Sequence, residues 1–155
     1  MDISEDSLRY AHDILLPLNV ETCGFLEYNN AIKQYIIVVD TFGKSGECTH
    51  NSYQRFIFHT HPHSAKFYPS TADIFKVLKH SRIQTSVIFS SLGIWEITFT
   101  GKIPITKKEI DYVEKLNIQL YKSTERGRKY SKEAINYYIS KLMKIPKLYI
   151  QFKLW

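Results

Sequence analysis

A single mixed α/β domain with a helical addition at its C-terminal end is the fold class predicted by three observations. Segments with the period of a strand alternate with segments of helical period up to residue 101. Two further helical stripes and a last alternating segment follow. At 155 residues the chain fits one domain, able to bury on the order of 70% of the surface of its unfolded form. No internal repeat or low-complexity linker interrupts it.

Taken in order, residues 4–16 put Leu8, Ala11 and Leu15 on one face with acids early, so a packing helix begins near Ser4 and stops before Pro17. Residues 18–30 alternate and end on Asn29-Asn30, a strand entering a turn. Residues 34–42, built around Tyr35-Ile-Ile-Val-Val39, read as its antiparallel partner. Residues 41–52 are polar and hold Gly43 and Gly46, which predicts a flexible loop. Gln54-Arg-Phe-Ile-Phe58 is the next strand, and after Pro69 the pattern turns helical, with Ser70 as N-cap and Ile74, Val77 and Leu78 as the apolar stripe. Residues 85–90 read as a buried strand and residues 94–100 return from the Leu92-Gly93 turn as another.

Beyond residue 101, Thr106 and Glu109 make a capping box before Ile110, Val113, Leu116 and Leu120, announcing a long helix. Past the charged turn Glu125-Arg-Gly-Arg-Lys129, Ser131 opens a fourth helix with Ala134, Tyr138 and Leu142 as its stripe. Leu148, Ile150, Phe152 and Leu154 then alternate with Tyr149, Gln151, Lys153 and Trp155, which reads as a strand with one apolar face.

Composition narrows the function classes. Two cysteines, Cys23 and Cys48, are too few for a disulfide framework, and the acidic start of the chain lacks the basic-then-apolar order of a secretory signal. No stretch approaches the roughly 18 apolar residues of a membrane span. An intracellular, cytoplasmic or nuclear, protein is the expectation. The net charge of +6 is unevenly placed: residues 1–101 hold 8 Lys/Arg against 10 Asp/Glu, whereas residues 102–155 hold 13 against 5. Such a basic third suits nucleic acid, an anionic membrane surface or an acidic protein partner, or simply lysines on the wet faces of helices.

The chemistry gathers between Phe58 and Asp73. Side chains two apart on a strand share a face, so His59 and His61 converge where that strand ends. Asp73 falls in the first turn of the following helix, facing back toward the strand end, which makes three potential ligands for one ion. Taken singly, His-x-His is common and Ser70-x-x-Asp73 is close to an ordinary capping box. Their order and separation carry the signal. Glu21, at the start of the first strand in Glu21-Thr-Cys-Gly24-Phe-Leu26, is a carboxylate suited to moving a proton, and Gly24 permits a neighbouring element to approach closely.

In Glu21-x-Cys23-Gly24-x-Leu26, then His59-x-His61-Pro62, then Pro69-Ser70-x-x-Asp73, the chain resembles the JAMM metalloproteases, also called the JAB or MPN+ domain. The resemblance covers roughly residues 1–101 and implies a JAB/MPN-like catalytic domain there; residues 102–155 have no counterpart in it and read from their own pattern as a basic helical extension ending in a short strand, packed on the same domain. It implies a curved mixed β-sheet flanked by helices in a three-layer, cytidine-deaminase-like arrangement. It further implies Zn2+ as cofactor, held by His59, His61 and Asp73, with Glu21 as general acid and base and Ser70 stabilising the oxyanion. The chain departs from the family pattern in having eight residues between His61 and Ser70 where seven are usual, and Tyr28 where many members have Gly.

Other residues of the same types read differently. His63 follows Pro62 and is a loop imidazole; Cys23 is a small core residue, not a nucleophile; His12, His50 and His80 are surface or packing residues; Asp40 ends a strand. The function expected is that of a zinc-dependent hydrolase acting on an amide or isopeptide bond, with a ubiquitin or ubiquitin-like conjugate as substrate. The alternative is an MPN-type scaffold in a larger assembly, whose metal-free members commonly lose ligands that this chain retains. The basic C-terminal third is the expected contact for a protein partner or nucleic acid.

Overall fold

The computed structural model describes residues 1–43, 54–101 and 105–155. Among them six strands form one mixed sheet: β1 (Thr22–Asn29), β2 (Gln34–Phe42), β3 (Phe56–Thr60), β4 (Thr85–Phe89), β5 (Gly93–Phe99) and β6 (Leu148–Leu154), in the order β2-β1-β3-β4-β5-β6. Among the described strands only the β3–β4 neighbours are parallel; their crossover carries helix α2 (Thr71–Lys79). The hairpins β1–β2 and β4–β5 are those expected from the alternation.

Alternation along the central strands sorts side chains to two faces. Phe58, Val87 and Phe89 point to one face, where they pack with Ala11, Leu15 and Leu16. These last three lie past the end of α1 (Glu5–Tyr10), in the turn that continues it, which widens so that Leu16 N–H donates to the Ala11 carbonyl at 2.9 Å, five residues back. Ser4 caps α1 by accepting from Ser7 N–H, where the acidic first turn places the start.

The opposite face carries Ile57, Ile88, Trp95 and Ile97, covered by α2, α3 (Lys107–Ser123) and α4 (Lys132–Leu142). Val113, Leu116 and Leu120 of α3 and Ile135, Tyr138 and Leu142 of α4 join the same core. β6 then pairs with β5 along seven residues, Gly93 against Leu154 through Phe99 against Leu148. Residues on both sides of position 101 therefore share one sheet and one core. The basic side chains Lys107, Lys108, Lys115 and Lys122 stand exposed on the wet side of α3.

The apolar alternation of β6 fades toward its end: Leu148 and Ile150 are buried, whereas Leu154 is 47% exposed. Tyr28 lies within β1, not after it, and meets Tyr35 of β2 edge-on at 5.2 Å. The polar loop expected over residues 41–52 falls, from residue 44 on, outside the described residues, as do Cys48 and His50.

Candidate metal centre

The strand pleat that buries Ile57 against the helices puts His59 on the same face two residues on, under α2. His61 lies one residue beyond β3, yet its N–H still bonds to the Phe89 carbonyl of β4 at 2.8 Å, so the ladder geometry carries past the strand end. Asp73 comes from the first turn of α2. There Ser70 forms a capping box: its Oγ accepts from Asp73 N–H at 3.1 Å and its own N–H donates to Asp73 Oδ2 at 2.9 Å. Glu21 directly precedes β1, its carbonyl tied to Gly43 N–H at 2.7 Å, and the next residue donates from Thr22 N–H to Thr60 Oγ1 at 2.9 Å. That bond sets the Glu21 end of β1 beside the histidine end of β3.

Gly24 makes this pairing possible. A Cβ there would collide with the Val38 carbonyl and stand 2.7 Å from the Phe58 ring, so β1 can lie between β2 and β3 only without a side chain at this position.

The result is a compact donor set. One atom each of Glu21, His59, His61 and Asp73 lies within 4.8 Å of the others. The Nε2 atoms of His59 and His61 are 3.2 Å apart, His59 Nε2 is 3.2 Å from Asp73 Oδ1, and His61 Nε2 is 3.0 Å from Asp73 Oδ2. A tetrahedral ion with bonds of about 2.0–2.1 Å has ligand-to-ligand edges of about 3.3 Å, close to these three spacings. Glu21 Oε1 stands farther off, 3.5 Å from His59 Nε2.

Hydrogen bonding orients the donors. The Lys66 carbonyl can only accept, so the 3.1 Å contact assigns the proton of His61 to Nδ1 and leaves Nε2 facing the cluster. Burial alone would depress the His61 pKa, but the bond to Asp73 and the charges of Asp73 and Glu21 outweigh it, and the net shift is upward. For Asp73 burial acts to raise the pKa, and the charges and hydrogen bonds of His59 and His61 overcome it and hold the carboxyl well below the usual range. Imidazole and carboxylate lone pairs converging in a buried site call for a positive charge at their centre, and the residues present fit a divalent cation.

The cluster opens on a cleft of about 1310 Å3. Glu21, His61 and Asp73 line it together with Ser70, while Glu114 and Ile118 of α3 contribute to its far side. Ser70 is exposed there, and with its Oγ lone pair taken by Asp73 N–H the hydroxyl hydrogen is free to donate into the cleft. All five residues singled out from the sequence thus meet at one place.

The other candidates among the described residues do not join them. His63 is exposed on the loop, His12 bonds to the neighbouring Asp13 at 2.8 Å, His80 ends α2, and Asp40 is exposed on the edge strand β2. Cys23 is fully buried but disulfide-bonded, not the free core thiol read from the sequence, so it supplies no nucleophilic thiolate.

Sequence reasoning missed Asn117 and Lys76, which also line the cleft. A signal for Asn117 was present: Val113, Leu116, Asn117 and Leu120 follow the i, i+3, i+4, i+7 spacing of a buried stripe, and Asn117 is its polar member. Lys76, one turn beyond Asp73, is partly buried and its pKa is lowered by that burial, with Asp73 and Glu21 opposing. No protein-family model matches the chain, and neither a curated protein nor a solved structure matches it. No helix among the described residues is long and apolar enough to cross a membrane.

Proposed function

We propose that this chain is a zinc-dependent metallohydrolase of the JAMM type, cleaving an amide or isopeptide bond. The reading is supported above all by the convergence of His59, His61 and Asp73 at tetrahedral-edge spacings, with the Glu21 carboxylate beside them on an open cleft. A divalent ion bound there would supply Lewis-acid polarisation of the scissile carbonyl and would acidify water.

The chain's own residues supply the rest. Glu21, its side chain only 12% exposed, accepts the proton of the attacking water and returns it to the leaving nitrogen. Ser70 donates its hydroxyl hydrogen to the oxygen that becomes negative as the carbonyl is attacked. The capping box holds that hydroxyl in place before substrate arrives, so no reorganisation is needed when charge develops. The cleft between α2 and α3, about 1310 Å3, is where we place the flexible tail carrying the bond to be cut.

Ubiquitin or a ubiquitin-like protein joined through its C-terminus is the substrate class proposed. The six-stranded sheet with helices on both faces is compatible with the JAB/MPN fold. The test is a panel of ubiquitin and ubiquitin-like conjugates incubated with zinc-loaded protein, with a chelator and Glu21→Ala as controls. Cleavage that both controls abolish is expected. No turnover of any conjugate by fully metal-loaded protein would remove the hydrolase reading and leave a scaffold.

A further inference from the structure

We propose that Asn117, on α3 of the C-terminal addition, is a positioning residue for the Asp73 and Ser70 side of the metal centre, acting through the peptide unit that joins Pro69 to Ser70. The proposal rests on the metal reading given above and adds the part of the chain that has no counterpart in the motif.

That peptide unit is held at both ends. Its carbonyl, on Pro69, accepts from Asn117 Nδ2 at 3.1 Å, and its N–H, on Ser70, donates to Asp73 Oδ2 at 2.9 Å. The same Asp73 oxygen is the one 3.0 Å from His61 Nε2. A carbonyl that accepts a hydrogen bond makes the N–H of its own peptide a better donor, so the two bonds reinforce each other. Rotation of the plane would break both together, and Asp73 would lose the contact that fixes one of its oxygens toward the histidines.

Asn117 is itself fixed. Its orientation follows from chemistry: Pro69 O can only accept, so Nδ2 faces it, and Oδ1 is left to accept from the Tyr138 hydroxyl at 2.6 Å. Asn117 is 8% exposed and Tyr138 1% exposed, so neither bond competes with water. Trp95 meets the Tyr138 ring edge-on at 6.0 Å and donates from Nε1 to the Phe67 carbonyl at 2.8 Å. The segment between His61 and Ser70, one residue longer than the motif pattern, is therefore anchored at three carbonyls: Lys66 by His61, Phe67 by Trp95 and Pro69 by Asn117.

The turn after α3 closes on the same segment. Gly127, at φ +77°, lies so near that a Cβ would stand 3.0 Å from the Tyr68 ring and 3.1 Å from the Lys66 side chain. Lys66 Nζ sits over the Tyr121 ring at 4.6 Å. The helices past residue 101 thus brace the loop that connects two of the ligands, and the Asn117 bond is the member of that brace directed at Asp73.

The experiment uses full-length protein loaded with cobalt(II), whose visible absorption reports coordination geometry, with affinity measured by competition against a chelator. Asn117→Asp keeps an acceptor for Tyr138 but turns the donor facing Pro69 into a second acceptor. Loss of a hydrogen bond made directly to a ligand weakens metal binding by about 10–100-fold, and Asn117 acts one peptide unit further out, so its loss falls at the lower end of that range, about tenfold. A loss of that size with an altered cobalt spectrum, in protein of wild-type circular dichroism, is the expected result. Tyr138→Phe, which frees Asn117 without removing its bond to Pro69, should give a smaller loss and serves if Asn117→Asp fails to fold. Wild-type affinity and spectrum in a folded Asn117→Asp, or in Tyr138→Phe where that variant stands in, would overturn the positioning role alone. Failure of the unaltered protein to bind cobalt or zinc would instead overturn the metal reading, and the proposal with it.

Discussion

Replacing Glu21 by Gln separates proton transfer from metal binding, because the amide preserves length and polarity but cannot accept a proton at neutral pH. Glu21 Oε1 stands 3.5 Å from His59 Nε2, outside the 3.0–3.2 Å edges that join His59, His61 and Asp73. The substitution should therefore leave the three-ligand set intact and change metal affinity by less than about tenfold, smaller than the loss typical of a hydrogen-bonded outer partner. General acid–base catalysis contributes about 10²–10⁴ in rate, so kcat on a cleavable conjugate should fall by that factor, equivalent to about 2.7–5.4 kcal/mol of barrier. The assay is steady-state cleavage with metal content measured on the same preparation. Wild-type kcat in fully loaded Glu21→Gln would refute the role given to this carboxylate. A 100-fold fall in metal affinity would make Glu21 a ligand and not the proton carrier.

Three other outcomes follow from the packing and the charges. Gly24→Ala must push the Val38 carbonyl and the Phe58 ring aside, an overpacking that typically costs about 1–3 kcal/mol, read as a fall in Tm of about 2–12 °C; an unchanged Tm would contradict the close approach of β1 to its neighbours. Leu142→Ala empties a fully buried position between the C-terminal helices and the sheet, and at about 2–5 kcal/mol should lower the Tm of the whole chain in a single transition; a separate early transition would show that residues 105–155 melt independently. The third outcome concerns pH. The folded His61 pKa is raised above 6.5, so in metal-free protein its stabilising contribution is fully present below 6.5 and lost as pH climbs through the raised value. Metal needs the neutral imidazole, so the stabilisation gained on adding metal should grow over that same window; a gain independent of pH would argue against His61 as a ligand.

The centre was legible because its residues are carried by local structure. His59 and His61 share a face by strand pleat alone, and Asp73 is fixed to Ser70 by a capping box within one turn of α2. Glu21 could be placed only beside that pattern, since its proximity depends on β1 pairing with β3, Cys23 opposite His59, a pairing between segments 36 residues apart. The strands were legible one at a time, and their neighbours less so. Alternation marks residues 148–155 as a strand, yet nothing in it says that this strand adds to β5 across two intervening helices. Asn117 illustrates the remaining gap: a polar residue on an apolar stripe announces a buried partner, but that the partner is the Pro69 carbonyl is a property of tertiary packing.

The most direct test of the metal centre is the metal content of purified protein after exposure to excess zinc and removal of unbound ion. One zinc per chain is expected for the unaltered protein, with loss of binding when His61 or Asp73 is replaced by Ala in folded protein. An unaltered protein that retains no metal, or one whose bound zinc survives removal of both side chains, would contradict the centre described here.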